Sequence, residues 1–359
     1  MLRVGLIGCG KIADGHVEQV HATARGRVVA VCDREGLMAE QLAIRFGIAR
    51  RYTDLDAMLG AERLDVLHVA TPPDSHLRIA QTAFAAGCHV FMEKPFALTR
   101  AEAQQIVAAA AAARRQICVN YLYNFESPAL ELERLLEAGR LGDIVHVDSS
   151  YGYNLAGDYG LAVLSDPGHW VHRLPGKLFH NVLDHVLAKI VRFIGDDYAV
   201  QVFSMRRRAP SGNAMVDAMD DELRFLVRSA DVTASGMVSA HGRPAAHTLR
   251  IVGTRDSYEL DFGARTIVPV ARQVYPSALG RLGPPWAQAR HYLRNARRNV
   301  AAFRRHEFHY LQSMRVLLRR FYDAVETGAP PPVPQEDILR VCGLIDAIVL
   351  AAAAGGSRT

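Results

Sequence analysis

Through its first third the chain sets short, continuous apolar runs between stretches of helical spacing. Leu2 to Ile7 is such a run. The turn Gly8-Cys9-Gly10-Lys11-Ile12-Ala13 follows, and small and apolar residues then recur at helical spacing to Val20. The pattern predicts strand, glycine turn and helix. A second run, Arg27 to Cys32, ends at Asp33, and apolarity on both faces of a strand suits a parallel sheet covered by helices. Further strands are predicted over 65–70, 90–92 and 116–119, with helices near 36–46, 74–86 and 99–114. Such alternation belongs to a doubly wound α/β domain of the Rossmann type, here residues 1–122.

Beyond this point the pattern changes. A helix over 128–138, ended by Gly139, leads into 143–148, where apolar and polar residues alternate as in a strand with one wet face. Residues 154–177 carry Gly, Asp, His and Trp without clear periodicity and read as a long loop, a feature usually functional or mobile. A helix over 181–193 closes at Gly195-Asp196-Asp197, and segments near 198–208, 220–228, 232–241, 246–253 and 257–262 read as successive antiparallel strands. The second domain, 123–359, is therefore expected to be α+β with a large open, mostly antiparallel sheet. Apolar or small residues at 286, 289, 293, 296, 300 and 303 form one stripe of an amphipathic helix. A helix over 307–327, a proline-rich linker at 329–334 and a last helix over 336–353, able to pack back on the first domain, complete the chain.

Composition adds bounds. At 359 residues two domains are the default, and 50% apolar with 22% charged residues is ordinary for a globular protein. No uninterrupted apolar run reaches the ~18 residues of a membrane span, and the first residues open directly into a strand, so the expected location is the cytoplasm. Cys9, Cys32, Cys88, Cys118 and Cys342 stand singly, without metal-ligand spacing, and read as reduced thiols; no metal site is expected. The net charge of +5 is uneven. Between Ala264 and His306 there is no acidic residue but nine arginines, at 265, 272, 281, 290, 294, 297, 298, 304 and 305. The expected arrangement for 286–305 packs the apolar stripe and leaves the arginine face solvated; contact with an anionic surface or another subunit is the functional alternative. Without interleaved aromatics or a recognition motif, nucleic-acid binding is not expected.

Two places invite chemistry. In the first βα turn Gly8 permits the tight turn, Gly10 lets backbone approach a pyrophosphate, and Ala13 keeps the helix close to the sheet. The helix N-terminus past Lys11 and Ile12 suits phosphate. Asp33, at the end of the second strand, would accept from the adenosine ribose and favours NAD; a guanidinium at Arg34 leaves room for NADP. The other place is Glu93-Lys94-Pro95, where a lysine follows the carboxyl end of an apolar strand, the side on which open α/β sheets keep their ligands.

Taken in order, Gly8-x-Gly10-x-x-Ala13, Ala70-Thr71-Pro72-Pro73-Asp74-Ser75-His76 and Glu93-Lys94-Pro95 resemble the Gfo/Idh/MocA family of oxidoreductases. The resemblance implies an NAD(P)-dependent dehydrogenase or reductase acting on a sugar, an inositol or a nucleotide-linked sugar, built as a homo-oligomer, dimer or tetramer, through its open sheet. It places Thr71, Pro72 and His76 with the cofactor, Glu93 at the nicotinamide ribose and Lys94 at the reacting oxygen. The family's second signature, Asp-x-Gly-x-His, aligns with Asn181 to His185, so that His185 is the implied base, Asn181 stands where the acid is usual, and Leu183 where the glycine is usual. An amide can bond substrate but not carry a proton, and the neighbouring Asp184 is the compensating candidate. Apart from the resemblance, His169, Arg173 and Lys177 of the loop over 154–177 are cationic candidates for an acidic or phosphorylated substrate, with surface positions as the alternative, and Tyr121 is a further substrate-side candidate. Asn124 stands where many relatives carry arginine. A dinucleotide-binding regulatory protein without catalysis, and an NAD-dependent glycoside hydrolase, are the alternatives that the same residues leave open.

Overall fold

The computed structural model describes residues 1–271, 278–309 and 311–355. Arg272 of the basic stretch, and Tyr310 within the helix expected over 307–327, lie outside the described residues. The chain forms two compact units, Met1–Leu122 with Leu311–Asp346, and Tyr123–Tyr310 with the residues from Ala347 on.

The first unit runs β1 (Leu2–Ile7), α1 (Ala13–Ala22), β2 (Gly26–Cys32), α2 (Gly36–Phe46), β3 (Arg50–Tyr52), α3 (Leu55–Ala61), β4 (Val66–Val69), α4 (His76–Ala85), β5 (His89–Met92), α5 (Arg100–Ala112) and β6 (Ile117–Val119). All strands are parallel, in the order β3-β2-β1-β4-β5-β6. Strand order reverses between β1 and β4, and that crevice at the carboxyl ends is where such sheets take a ligand. Continuous apolarity has its expected reason: Val66, Leu67, Val69, Val90, Phe91 and Met92 are each 0% exposed. The sequence reading missed β3 and α3. Only three residues long, with Arg50 and Arg51 exposed, β3 carries no apolar signal.

The second unit holds α6 (Ser127–Glu137), β7 (Ile144–Gly152), α7 (Asp158–Ser165), α8 (Lys177–Val182), α9 (Asp184–Leu187), β8 (Ala199–Met205), α10 (Ala214–Asp217), β9 (Glu222–Arg228), β10 (Thr233–Ser239), β11 (His247–Gly253), β12 (Ser257–Asp261), β13 (Thr266–Pro269) and α11 (Gly283–Arg304). Its strands form one sheet, β13-β12-β11-β7-β10-β9-β8, antiparallel except for the pair β7 and β10. Three expectations are corrected here. The loop over 154–177 contains α7 and a 3₁₀ turn, Trp170–Arg173, because buried Val163 and Val171 anchor them. The helix over 181–193 begins earlier and is broken into α8, α9 and the 3₁₀ turn Val191–Phe193. The five strands are not a simple succession of antiparallel neighbours, since β7 enters between β10 and β11.

Two helices follow, α12 (Gln312–Thr327) and α13 (Gln335–Gly355). Residues 311–346 count with the first unit. The cause is packing: Met314, Leu317, Leu318, Phe321 and Tyr322 on α12 are 0% exposed, and Arg315 Nε donates to Gln19 Oε1 on α1 at 3.0 Å. By length and hydropathy α13 matches a membrane span. Its Ile338, Val341, Leu344 and Ile348 are nonetheless buried in the fold, and Asp346 accepts from Arg100 N at 2.8 Å, as in a core helix.

Candidate active site

In the first unit the sequence-predicted cofactor residues stand on the carboxyl ends of β1, β2, β4 and β5. Gly8 has φ +92°, and a Cβ there would lie 2.7 Å from Ala70 C and 2.8 Å from Thr71 N, so only glycine lets the turn after β1 meet the chain after β4. At Gly10 a Cβ would find nothing within 4 Å, leaving open backbone beside the start of α1. No side chain caps that helix; Ala13 N donates to Gly10 O at 3.0 Å, and the Asp14 and Gly15 amides of the first turn follow it. Asp33 ties the turn to β2: its Oδ2 accepts from Cys9 N at 2.7 Å and its Oδ1 from Glu35 N at 2.9 Å. Lys11 is exposed and Ile12 half-buried. The Arg34 side chain is 91% exposed, with Glu35 3.9 Å away. An open glycine backbone, an uncapped helix start and a fixed carboxylate together fit a dinucleotide.

Thr71 and Pro72 are half-buried after β4, and Thr71 Oγ1 shares a hydrogen bond of 2.7 Å with Ser75. His76 is 0% exposed, its Nε2 2.8 Å from Thr71 O and its Nδ1 3.1 Å from Phe96 O. One imidazole therefore joins the loop after β4 to the loop after β5. Burial lowers the His76 pKa, against those two carbonyls, which raise it.

Glu93 is buried and its carboxylate is held from three sides. Oε1 accepts from His16 Nε2 at 3.0 Å and Asn120 Nδ2 at 2.6 Å, and Oε2 from Lys94 N at 3.1 Å. Burial alone would raise this pKa; the His16 and Asn120 bonds and the Lys94 charge outweigh it, and the carboxyl sits below its ordinary value. Behind Glu93 the bonding continues: His16 Nδ1 lies 2.9 Å from His68 Nδ1, and His68 Nε2 lies 2.9 Å from Tyr322 OH. Burial raises Tyr322 well above its ordinary pKa, while burial and then His16 push His68 well below its own. His16, His68 and Tyr322 are thus joined in series behind the carboxylate, and the tautomers of the two imidazoles set which atom donates in each contact behind His16. Sequence reading found Glu93 but not His16, His68, Asn120 or Tyr322. Lys94 is half-buried, and its peptide bond to Pro95 is cis. Tyr121 is 4% exposed after β6.

In the second unit Asn181 and Asp184 are buried and His185 is half-buried. The Asn181 side chain is hydrogen-bonded to Tyr159. His185 lies in a ring cluster, with centroids 5.0 Å from Tyr123 and 4.7 Å from Tyr151. His247 joins it at 4.2 Å from Tyr123, and Phe262 stacks on His247 at 4.6 Å. Beside them Lys189, 4% exposed, sets its Nζ 4.8 Å from the Phe262 centroid, without a hydrogen-bond partner among the described residues. Burial lowers this amine to about 7 against the pull of Asp148. It also drives His247 to about 2, with Lys189 adding to the effect. No local pattern marks Lys189, which sits in the otherwise apolar run Val186 to Val191. The three loop candidates are engaged locally: His169 Nδ1 accepts from Val171 N at 3.3 Å, Arg173 donates to Gly168 O at 3.3 Å, and Lys177 Nζ to Ala218 O at 3.2 Å.

Residues 2–121 match the family model described as an oxidoreductase family with an NAD-binding Rossmann fold. The D-apiose dehydrogenase of Paraburkholderia graminis is 34% identical over 137 residues, which cover 38% of this chain and 36% of that enzyme. An inositol 2-dehydrogenase of Pseudomonas fluorescens is 29% identical over 229 residues, 63% of each chain. The chain thus spans between 36% and 63% of these curated relatives. Over its full fold it is similar to a levoglucosan dehydrogenase solved with NADH and levoglucosan, with a TM-score of 0.77, 20% identity, and coverage of 98% of this chain and 97% of that one.

Proposed function

Since residues 2–121 are the NAD-binding Rossmann domain of the Gfo/Idh/MocA oxidoreductase family, we propose that the protein is an NAD-dependent dehydrogenase moving hydride between nicotinamide and a hydroxyl or keto carbon of a sugar, inositol or nucleotide-linked sugar. The observation that carries this is the fixed carboxylate of Glu93 with Lys94 next to it at the carboxyl end of β5. The sugar-like substrate class is supported by what the relatives are named for. NAD, when bound, supplies the hydride acceptor.

The chain's own residues have separable tasks. Gly8, Gly10 and the uncapped start of α1 bind pyrophosphate, and Asp33 accepts from the adenosine ribose, which selects NAD over NADP because a 2′-phosphate would meet its charge. Glu93, kept ionised, accepts from the nicotinamide ribose, with Thr71, Pro72 and His76 shaping that end. Lys94 stabilises charge developing on the reacting oxygen, and His185 takes the hydroxyl proton. Asn181 and Asp184 bind substrate hydroxyls, joined by Tyr121 and the loop residues His169, Arg173 and Lys177. A homo-oligomer through the sheet accords with the exposed face that carries Phe203, Met205 and Leu226.

The test is a panel of sugars, inositols and nucleotide-linked sugars followed by nicotinamide absorbance. Lys94→Met should leave NAD binding intact and lower turnover on the order of 10²–10⁴-fold. Turnover retained in that variant removes Lys94 from the mechanism.

A further inference from the structure

Helix α11 is turned opposite to an ordinary surface helix. An amphipathic helix normally buries its apolar stripe and solvates its polar face. Here the polar side faces the protein. Asn295, the buried residue of the helix, accepts from Ile267 N at 3.3 Å and donates to Ile267 O at 2.9 Å. Gln288 donates to Pro269 O at 2.7 Å, Arg298 to Arg265 O at 3.0 Å and Asn299 to Ala264 O at 2.9 Å. These side chains cap the free edge of β13, and the capping fixes the rotation of the helix. The apolar row is left outside: Trp286 is 73% exposed, Leu293 59%, Val300 51% and Phe303 71%, with Leu282 63% exposed just before the helix. The sequence expectation of a packed stripe is therefore overturned. Polarity along a helix does not say which face is buried when the neighbour is a strand edge asking for hydrogen bonds.

Charge identifies the occupant. Arg290, Arg297 and Arg304 each follow a member of the row by one position, and together with Arg294 they enter no ion pair among the described residues. From Ala264 to His306 there is no acidic residue. A second copy of this helix laid on the first would set arginine against arginine with no carboxylate to answer it. A bilayer carrying anionic headgroups supplies both missing partners, an apolar layer for Trp286, Leu293 and Phe303 and phosphates or carboxylates for the guanidinium groups.

We infer that α11 docks the protein, in the plane of the surface, on an anionic lipid membrane. This is independent of the hydride-transfer reading. The test uses the full chain with vesicles of phosphatidylcholine containing about 30 mol% phosphatidylserine, against pure phosphatidylcholine, at low and high salt. Flotation with the anionic vesicles at low salt is expected, together with a blue shift of Trp286 fluorescence in a Trp170→Phe background. The triple change Arg290→Gln, Arg297→Gln, Arg304→Gln should weaken binding on the order of 100-fold while NAD binding stays unchanged. The inference is overturned by no flotation at low salt, or by equal binding to neutral and anionic vesicles. It is also overturned by a dimer in sedimentation that Trp286→Ser with Phe303→Ser abolishes, which would make a second copy the occupant.

Discussion

Asn120→Ala tests whether the Glu93 carboxylate is held charged by its donors. Asn120 Nδ2 donates to Glu93 Oε1 at 2.6 Å, both residues are buried, and the group accepting is ionised. A hydrogen bond to a charged group contributes about 1.5–3 kcal/mol, so the variant should lose about 2 kcal/mol at neutral pH. In a domain of this size that lowers Tm by roughly 4–8 °C. The loss depends on pH in a definite direction. The folded pKa of Glu93 is depressed, so its stabilisation is present above the ordinary value of about 4.3 and is lost as pH falls through the folded value. Removing a donor raises that folded pKa, and the gap between wild type and variant should hold from neutrality and then shrink as pH falls below the ordinary value of about 4.3 and through the folded ones. Urea unfolding at several pH values, followed by far-UV circular dichroism, measures it. A gap that stays constant or widens in acid would mean that Asn120 merely packs, and the account of Glu93 as an anchored anion would fail.

Two further substitutions separate packing from chemistry. Gly8→Ala should destabilise by about 2 kcal/mol or more, since φ is +92° and its Cβ would meet backbone at 2.7 Å. Gly10→Ala, with nothing within 4 Å, should leave unfolding unchanged and cost NAD affinity tenfold or more; equal effects of the two on unfolding would refute the assignment. Lys189→Met should stabilise the protein by roughly 2–4 kcal/mol near pH 6, because the folded pKa of the amine, about 7, lies below the ordinary lysine value. The penalty it removes is full below the folded pKa and gone above the unfolded one, so a gain in Tm that grows with pH would overturn the reading.

Most of the first unit could be read from sequence because parallel strands buried on both faces leave unbroken apolar runs, as at Val90 to Met92, and because the glycine turn is a local device. What escaped was non-local. Residues 16, 68, 93 and 322 are bonded in series, yet no short-range pattern connects positions up to 254 apart. In the second unit, β13 offers four residues and no alternation, and α7 lies in a stretch rich in glycine and aspartate. The helix at 283–304 was legible as a helix, but its facing was not, since that was decided by the needs of a neighbouring strand.

The capping of β13 also bears on symmetry. A sheet that adds strands head to tail needs two open edges, one to give and one to receive. Here Asn295, Gln288, Arg298 and Asn299 have already answered one of them. The other terminal strand is β8. Among the described residues, head-to-tail strand addition through β13 is thereby opposed, and β8 is the terminal strand at which a closed, two-fold meeting with a second copy stays open.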